Sequence, residues 1–193
     1  MQLKKKHPCR YFLELCAEMS RGNMSQIRQN YHVDSENSIN EKINELLHAS
    51  YVYLGIAFHF DRDDVALPNI HRYFMKLSER KKEIADKLMK YQNTRGGRVV
   101  FASIEKPVRD DWGSVRDAFE DALEMEKALN ASFMHLHTIA ETTDDAHLSD
   151  FVEEDLLEPQ VKQMKEMGDL LSEVKMAGPG LGEYLFERES FHS

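Results

Sequence analysis

The sequence predicts an all-α protein: a bundle of four long helices with one long crossover connection and a short fifth helix at the C-terminus. Three observations carry that expectation. Nine glycines and five prolines in 193 residues are few, and they are clustered, whereas a many-stranded, low-complexity or collagen-like chain needs such residues throughout. From Asp34 to Leu67 the only one is Gly55, and from Asn69 to Arg95 and from Ser114 to Glu158 there is none. Within those stretches apolar residues return every three or four positions, the period of a helix with one buried face.

The first helix carries Ile39, Ile43, Leu46, Leu47, Ser50, Tyr53, Leu54 and Ala57 on one face, with Asp34 or Ser35 placed to cap its start. In the second, Pro68 suits the first turn, the stripe runs Ile70, Tyr73, Phe74, Leu77, Ile84, Ala85, Leu88, and Gly96-Gly97 closes it. The third begins at Ser114 and shows Phe119, Ala122, Leu123, Leu129, Phe133, Leu136 and Ala140. The fourth runs from about His147 to Met176 through Leu148, Phe151, Val152, Leu156, Val161, Met164, Met167 and Leu171. Pro159 interrupts it, removes an amide donor to the Asp155 carbonyl and predicts a kink. After Gly178-Pro179-Gly180, Leu181 to Phe191 reads as a short amphipathic helix, an appendage that suggests assembly.

Connection lengths select the topology. A few residues around Asp61-Arg62-Asp63-Asp64 join the first two helices, which are therefore antiparallel neighbours. About 17 residues from Gly97 to Gly113 can span roughly 55 Å, and a helix of about 27 residues is only about 40 Å long. The chain can thus cross the whole bundle, so that the second and third helices run parallel. Val99-Val100-Phe101 reads as a short extended piece on the outside of the bundle.

A hydrophobic fraction of 41% suffices for one domain with a real core. No apolar run approaches the roughly 18 residues of a membrane span. The two cysteines, Cys9 and Cys16, offer no disulfide framework, which suits a reducing, cytoplasmic setting. The net charge of −9 is unevenly spread: residues 1–23 are basic, through Lys4, Lys5, Lys6, Arg10 and Arg21 against Glu14 and Glu18. The remainder is strongly acidic, which disfavours nucleic acid and attracts cations. Glu14 cuts the apolar stretch Tyr11-Phe12-Leu13 too short for a signal peptide. Residues 1–23 are expected to be a disordered extension, or to lie before the true start, with the bundle domain over 24–193.

Several polar residues stand out against this pattern. Lys81 and Glu126 fall within the apolar stripes of the second and third helices. Either charge alone would be costly there, so a buried pair is the economical reading; the alternative has Lys81 snorkelling outward and Glu126 at a wet seam edge. A di-iron bundle takes Glu from two helices and a Glu-x-x-His pair from each of the others. One such pair exists, Glu45 and His48, but it flanks the stripe instead of facing inward, and His135 and His137 do not share a face. Asp150 and Glu153, spaced i,i+3 near the start of the fourth helix, read as helix-dipole partners, and Glu79 and Glu83 as ordinary salt-bridge formers among Arg80, Lys81 and Lys82.

Longer motifs add a resemblance. Ser25-Gln26-Ile27-Arg28-Gln29-Asn30-Tyr31-His32, Ala49-Ser50-Tyr51-Val52-Tyr53-Leu54, Phe60-Asp61-Arg62-Asp63-Asp64-Val65-Ala66-Leu67, Gln92-Asn93-Thr94-Arg95-Gly96-Gly97 and Glu183-Tyr184-Leu185-Phe186 occur in order. Over Ser25 to about Phe186 the chain resembles animal ferritin. The resemblance implies a ferritin-like bundle, twenty-four of which form a hollow shell that stores ferric mineral, with the fifth helix at the four-fold axis.

Carried over residue by residue, the resemblance puts Leu46 where a catalytic subunit has its helix-one glutamate, Lys81 where it has a helix-two glutamate, and Ile84 in place of the histidine three residues on. Tyr53, Glu126 and Gln160 match the family's tyrosine, helix-three glutamate and helix-four glutamine. A lysine facing that glutamate resembles the light-type subunit. Asp150 and Glu153 match the carboxylates of the three-fold iron channel and His137 a residue at its mouth, with Ser149 in place of a cysteine. Glu79 and Glu83 match half of a mineral-nucleating patch, in which Lys76 and Arg80 replace further glutamates. The turn at Gly178-Pro179-Gly180 is shorter than the family's, which with Pro159 bears on assembly.

The reading that follows is a light-type iron-storage subunit, not itself an enzyme, which handles ferrous iron in transit and ferric mineral, keeps iron soluble in the cytoplasm and co-assembles with heavy-type subunits, without nucleic-acid or membrane partners. Its rivals are a ferroxidase with a rearranged di-iron centre built on Glu126, Gln160, Glu45 and His48, and a structural bundle with no iron role.

Overall fold

A computed structural model describes residues 25–191, so the expectation of a disordered extension over 1–23 lies outside the described residues. The first helix, α1, spans Val33–Phe60 and is capped by neither Asp34 nor Ser35: the His32 imidazole accepts from the Asp34 amide, leaving Asp34 and Glu36 in the first turn, where the helix dipole favours them. Leu46 and Tyr53 are fully buried as the stripe requires, and so are Ala49, Ile56 and Phe60, which the stripe omitted. A short turn in which the Leu67 amide donates to the Phe60 carbonyl leads to α2, Pro68–Thr94, with proline in its first turn.

The crossover climbs α1 in order. The Asn40 side chain takes the Val100 amide and donates to the Arg98 carbonyl. The His48 ring meets the Glu105 carbonyl, Gly55 packs against Pro107 and Trp112, and the His59 ring meets the Gly113 carbonyl at 3.1 Å. The chain therefore arrives at the end where α1 finishes and α2 begins, and α3 (Val115–Thr142) runs parallel to α2. Val100 and Phe101 lie outside, as expected, each more than 60% exposed. A capping box fixes the start of α3: Ser114 Oγ accepts from the Asp117 amide, and the Asp117 carboxylate accepts from the Ser114 amide.

The fourth rod differs from expectation at its centre. It begins as α4 (Ala146–Val152), widens into a π-helical turn over Glu153–Leu157, and continues as α5 (Glu158–Ala177). The Glu158 amide donates to the Glu153 carbonyl, five residues back. Pro159 lies in the first turn of α5, so the wide turn accommodates the missing amide. The turn also absorbs one extra residue, which turns Val161 outward to 54% exposure and brings Gln160 and Gln163 into the buried stripe with Leu156, Met167 and Leu171. The rod ends at Gly178, with φ +73°, and α6 (Leu181–Glu189) follows, leaving Phe191 beyond it. A side chain at Gly182 would meet the Ala177 carbonyl oxygen at 1.9 Å, so this tight return needs glycine. Helix α6 folds back on the start of α2, where the buried Glu187 carboxylate accepts from the Asn69 amide at 2.7 Å.

The other end of the bundle is tied by Arg95, whose two terminal nitrogens donate to the two Asp145 oxygens at 2.9 and 2.8 Å. Asp145 also caps α4 by accepting from the Leu148 amide. Removing this carboxylate strands a largely buried guanidinium and uncaps a helix. Asp145→Ala should therefore lower stability by about 3–5 kcal/mol, against about 1 kcal/mol or less for Arg62→Ala, whose pairing with Asp64 is solvent-exposed. Thermal dissociation at matched subunit concentration checks the contrast, and equal small shifts would refute it.

Candidate functional site

Two apolar clusters fill the bundle. One gathers Tyr53, Phe60, Phe74, Leu77, Phe119, Ala122 and Met167, the other Ile39, Leu46, Ala85, Leu88, Leu129, Phe133 and Leu156. Between them lies a polar layer. Lys81 is 1% exposed and Glu126 is fully buried, and the Lys81 ammonium donates to Glu126 Oε2 at 2.7 Å. The buried pair is thus present and the snorkelling alternative is not. Gln160 Nε2 donates to the same oxygen at 2.6 Å and to the Glu126 carbonyl at 2.8 Å. The Tyr53 hydroxyl donates to Glu126 Oε1. Beside them the Ser78 hydroxyl donates to the Ser50 carbonyl, and the two hydroxyls meet at 3.0 Å. Burial drives the Lys81 pKa below the usual lysine range, with Glu126 opposing the shift, and burial raises the Tyr53 phenol, with the Glu126 carboxylate acting in the same direction.

The positions around this layer are apolar. Leu46 is fully buried in one cluster and Ile84 packs against it. Glu45 and His48 do not join Glu126. Glu45 ties α1 to α3, accepting from Lys42 at 3.0 Å and from the Ser132 hydroxyl, and His48 is engaged with the crossover. Sequence periodicity overlooked both Lys42 and Ser132. The only available signal for Lys42 was its place one residue before Ile43, on the edge of the stripe.

A second constellation forms where α3 meets the fourth rod. His137 Nε2 stands 2.7 Å from Glu153 Oε1 and 2.9 Å from Ser149 Oγ, and its Nδ1 is 3.7 Å from Glu141. Asp150 is exposed one turn before Glu153. The capping explanation for this acidic pair fails, because Asp145 already caps the helix and both residues lie beyond its first turn. His135 is exposed and forms no hydrogen bond or ion pair with this group. Glu79 and Glu83 are exposed on α2, and neither forms an ion pair with a described residue. Within one chain, no three His, Cys, Asp or Glu among the described residues come close enough to hold a metal ion.

A bundle with parallel second and third helices, a crossover along the first and a charged layer at mid-seam defines the ferritin-like class of helical bundles. A family model described as "Ferritin-like domain" matches residues 36–177. The chain is 51% identical over 171 residues to a protein named Soma ferritin from Lymnaea stagnalis, covering 89% of this chain and 98% of the relative. The chain belongs to the ferritin family. That membership corrects the expectation that it is not an enzyme, because ferritins typically have ferroxidase activity and this chain is half identical to one. Leu46, Lys81 and Ile84 describe one seam and do not remove the chain from that family-level activity.

The layer predicts asymmetric mutational effects. Lys81→Leu leaves Glu126 with two remaining donors, Tyr53 and Gln160, whereas Glu126→Leu strands Lys81 and Tyr53 together and leaves Gln160 only the backbone carbonyl of residue 126. Glu126→Leu should cost at least about 3–5 kcal/mol and Lys81→Leu less, and the double replacement should cost less than the sum of the two. Thermal dissociation of the four proteins measures the coupling, and additive effects would refute it.

Proposed function

We propose that this chain is a light-type, iron-storing subunit of a twenty-four-subunit ferritin shell. It takes up ferrous iron, holds it as ferric mineral, keeps iron soluble in the cytoplasm and co-assembles with heavy-type subunits. The observation that carries the iron reading is the His137, Ser149 and Glu153 cluster with Asp150 beside it. Two exposed carboxylates that neither cap a helix nor pair with a lysine or arginine need another reason to be there. Repeated around a three-fold axis they would supply rings of hard oxygen ligands suited to a divalent cation in transit.

In this reading the seam between the helices holds a salt bridge in place of most of the ferroxidase ligands. Three features support it: the ammonium already satisfies the Glu126 carboxylate, Leu46 offers no ligand atom, and neither does Ile84. Glu79 and Glu83 are assigned to the mineral-facing side as exposed carboxylates without ion pairs. The bundle domain is taken as 24–193.

The decisive experiment is native mass measurement of the purified protein with and without a heavy-type subunit, followed by iron loading. Particles of twenty-four subunits that retain iron support the reading, and a monomer or dimer that retains none overturns it. Asp150→Ala with Glu153→Ala should slow iron uptake several-fold while leaving the particle mass unchanged. Unchanged uptake in a shell in which every subunit carries both substitutions would remove the channel role. At the seam, Lys81→Glu adds a carboxylate where an ammonium now repels cations, so dioxygen consumption on adding ferrous iron should rise above that of the parent protein. An equal rate would mean that the seam takes no part in oxidation.

A further inference from the structure

Helix α2 carries three cations at i, i+4 and i+8, Arg72, Lys76 and Arg80, a spacing that stacks them along one face. Like charges so placed repel, and in a chain of net charge −9 carboxylates to neutralise them are plentiful. None of the three forms an ion pair with a described residue. Arg72 donates only to the Asn69 side chain, and Arg80 donates to the Gln163 amide oxygen at 2.7 Å. Lys76 makes no hydrogen bond to a described residue. By contrast, Lys42, Lys81, Lys87, Lys90, Lys106, Lys127, Lys162, Lys165 and Lys175 all have carboxylate partners.

The stripe borders a cavity of about 350 Å³ between α2, α5 and the end of the chain, lined by Arg72, Lys76, Asn69, Tyr73, Glu166 and Ser190 among others. The buried Tyr73 hydroxyl that lines it has no hydrogen bond of regular geometry, with Gln163 and the Glu166 carboxylate beside it, and Gln163 Nε2, which does not itself line the cavity, is also without a partner. Gln163 is 3% exposed. Burial, with the Glu166 carboxylate next in effect, pushes the Tyr73 phenol up, so it remains a donor. Donors therefore dominate this cavity, and Glu166 is its one carboxylate.

We propose that this cavity binds inorganic phosphate, with Arg72 and Lys76 taking the charge, the Tyr73 hydroxyl donating, and Glu166 accepting a hydrogen bond from the O–H that the anion keeps. A carboxylate inside an oxyanion site repels a fully ionised guest and favours one that brings its own O–H. Hydrogen phosphate does so at neutral pH. Sulfate does not, nor does a phosphate monoester, which loses its second proton near pH 6. Selectivity thus follows from the one acidic group in a basic setting. The proposal concerns the chain's own cations and does not depend on iron storage.

Calorimetric titration of the assembled, iron-free, full-length protein at pH 7.5 and fixed ionic strength tests it, using inorganic phosphate, sulfate and AMP. Phosphate should bind saturably and at least ten-fold more tightly than sulfate or AMP. Arg72→Ala with Lys76→Ala, both exposed and so harmless to the fold, should weaken phosphate at least ten-fold. Glu166→Gln should bring sulfate to within about three-fold of phosphate. Absence of saturable phosphate binding, unchanged affinity in the double variant, or equal binding of sulfate and phosphate by the parent protein would each overturn the site. None of these outcomes bears on iron uptake, so failure here leaves the storage reading standing.

Discussion

A charged layer at the middle of the bundle constrains everything around it. Burying Lys81 or Glu126 alone would cost several kcal/mol. Burying both is tolerable only if each proton and lone pair finds a partner, and here the carboxylate receives Lys81, Gln160 and Tyr53 together. Those residues come from α2, the fourth rod and α1, and Glu126 from α3, so a single carboxylate connects all four rods. Apolar packing alone would allow one rod to slide a turn along another at modest cost, since leucine and isoleucine faces are interchangeable. A carboxylate with three fixed donors does not permit that slide, because a shift of one turn leaves several buried groups unpaired. The two apolar clusters on either side provide most of the burial, and the layer between them sets the register.

Much of this was legible in the sequence because the physics behind it is periodic. Helix positions, the crossover topology and the Lys81–Glu126 pair follow from the spacing of apolar residues and from the length of one connection. What stayed illegible depends on contacts between elements that the period does not encode. His32 caps α1 because its ring accepts the Asp34 amide, and histidine is not among the usual capping residues. Lys42 is 4% exposed although it lies on the edge of the stripe, because Glu45 accepts its ammonium and Ser132 in turn holds Glu45. Of the site, the period put Tyr53 and Glu126 in the seam but turned Val161 inward in place of Gln160, which only the family resemblance singled out. Tyr53, Glu126 and Gln160 converge, whereas the proximity of His137, Ser149 and Glu153 rests on how α3 crosses the fourth rod. Three seam residues, by contrast, are too little to exclude enzymatic activity in a chain that belongs to a family whose members typically oxidise ferrous iron.

The crossover illustrates how a connection without regular structure can be ordered. It makes few hydrogen bonds to itself. Its carbonyls and amides are instead taken by side chains spaced two to three turns apart along α1: Asn40, His48 and His59. Each contact is weak, yet each lies on a helix that is already fixed, so little additional entropy is lost on forming it. The connection follows α1 for its whole length for this reason, and α3 must then start at the far end. The parallel arrangement of α2 and α3 is thus written in the polar edge of α1 as much as in the length of the connection.

The π-helical turn links the two polar constellations through a single extra residue. Followed from Leu148 at about 3.6 residues per turn, a regular helix would direct positions 152, 155, 159, 162 and 166 inward. Those positions hold Asp155, Pro159, Lys162 and Glu166, and the seam would receive two carboxylates, an ammonium and a proline with no amide proton to donate. The buried positions are instead 152, 156, 160, 163 and 167, each one later from the second onward. That displacement is what one additional residue in a wide turn produces. It places the Gln160 amide on Glu126 while leaving Val152 in the core and Glu153 beside His137. Proline immediately after the turn keeps it there, because a regular helix would need an amide at 159 to reach the Asp155 carbonyl. Pro159 is therefore better understood as the residue that holds the phase between the surface carboxylates and the buried layer than as a break in the helix.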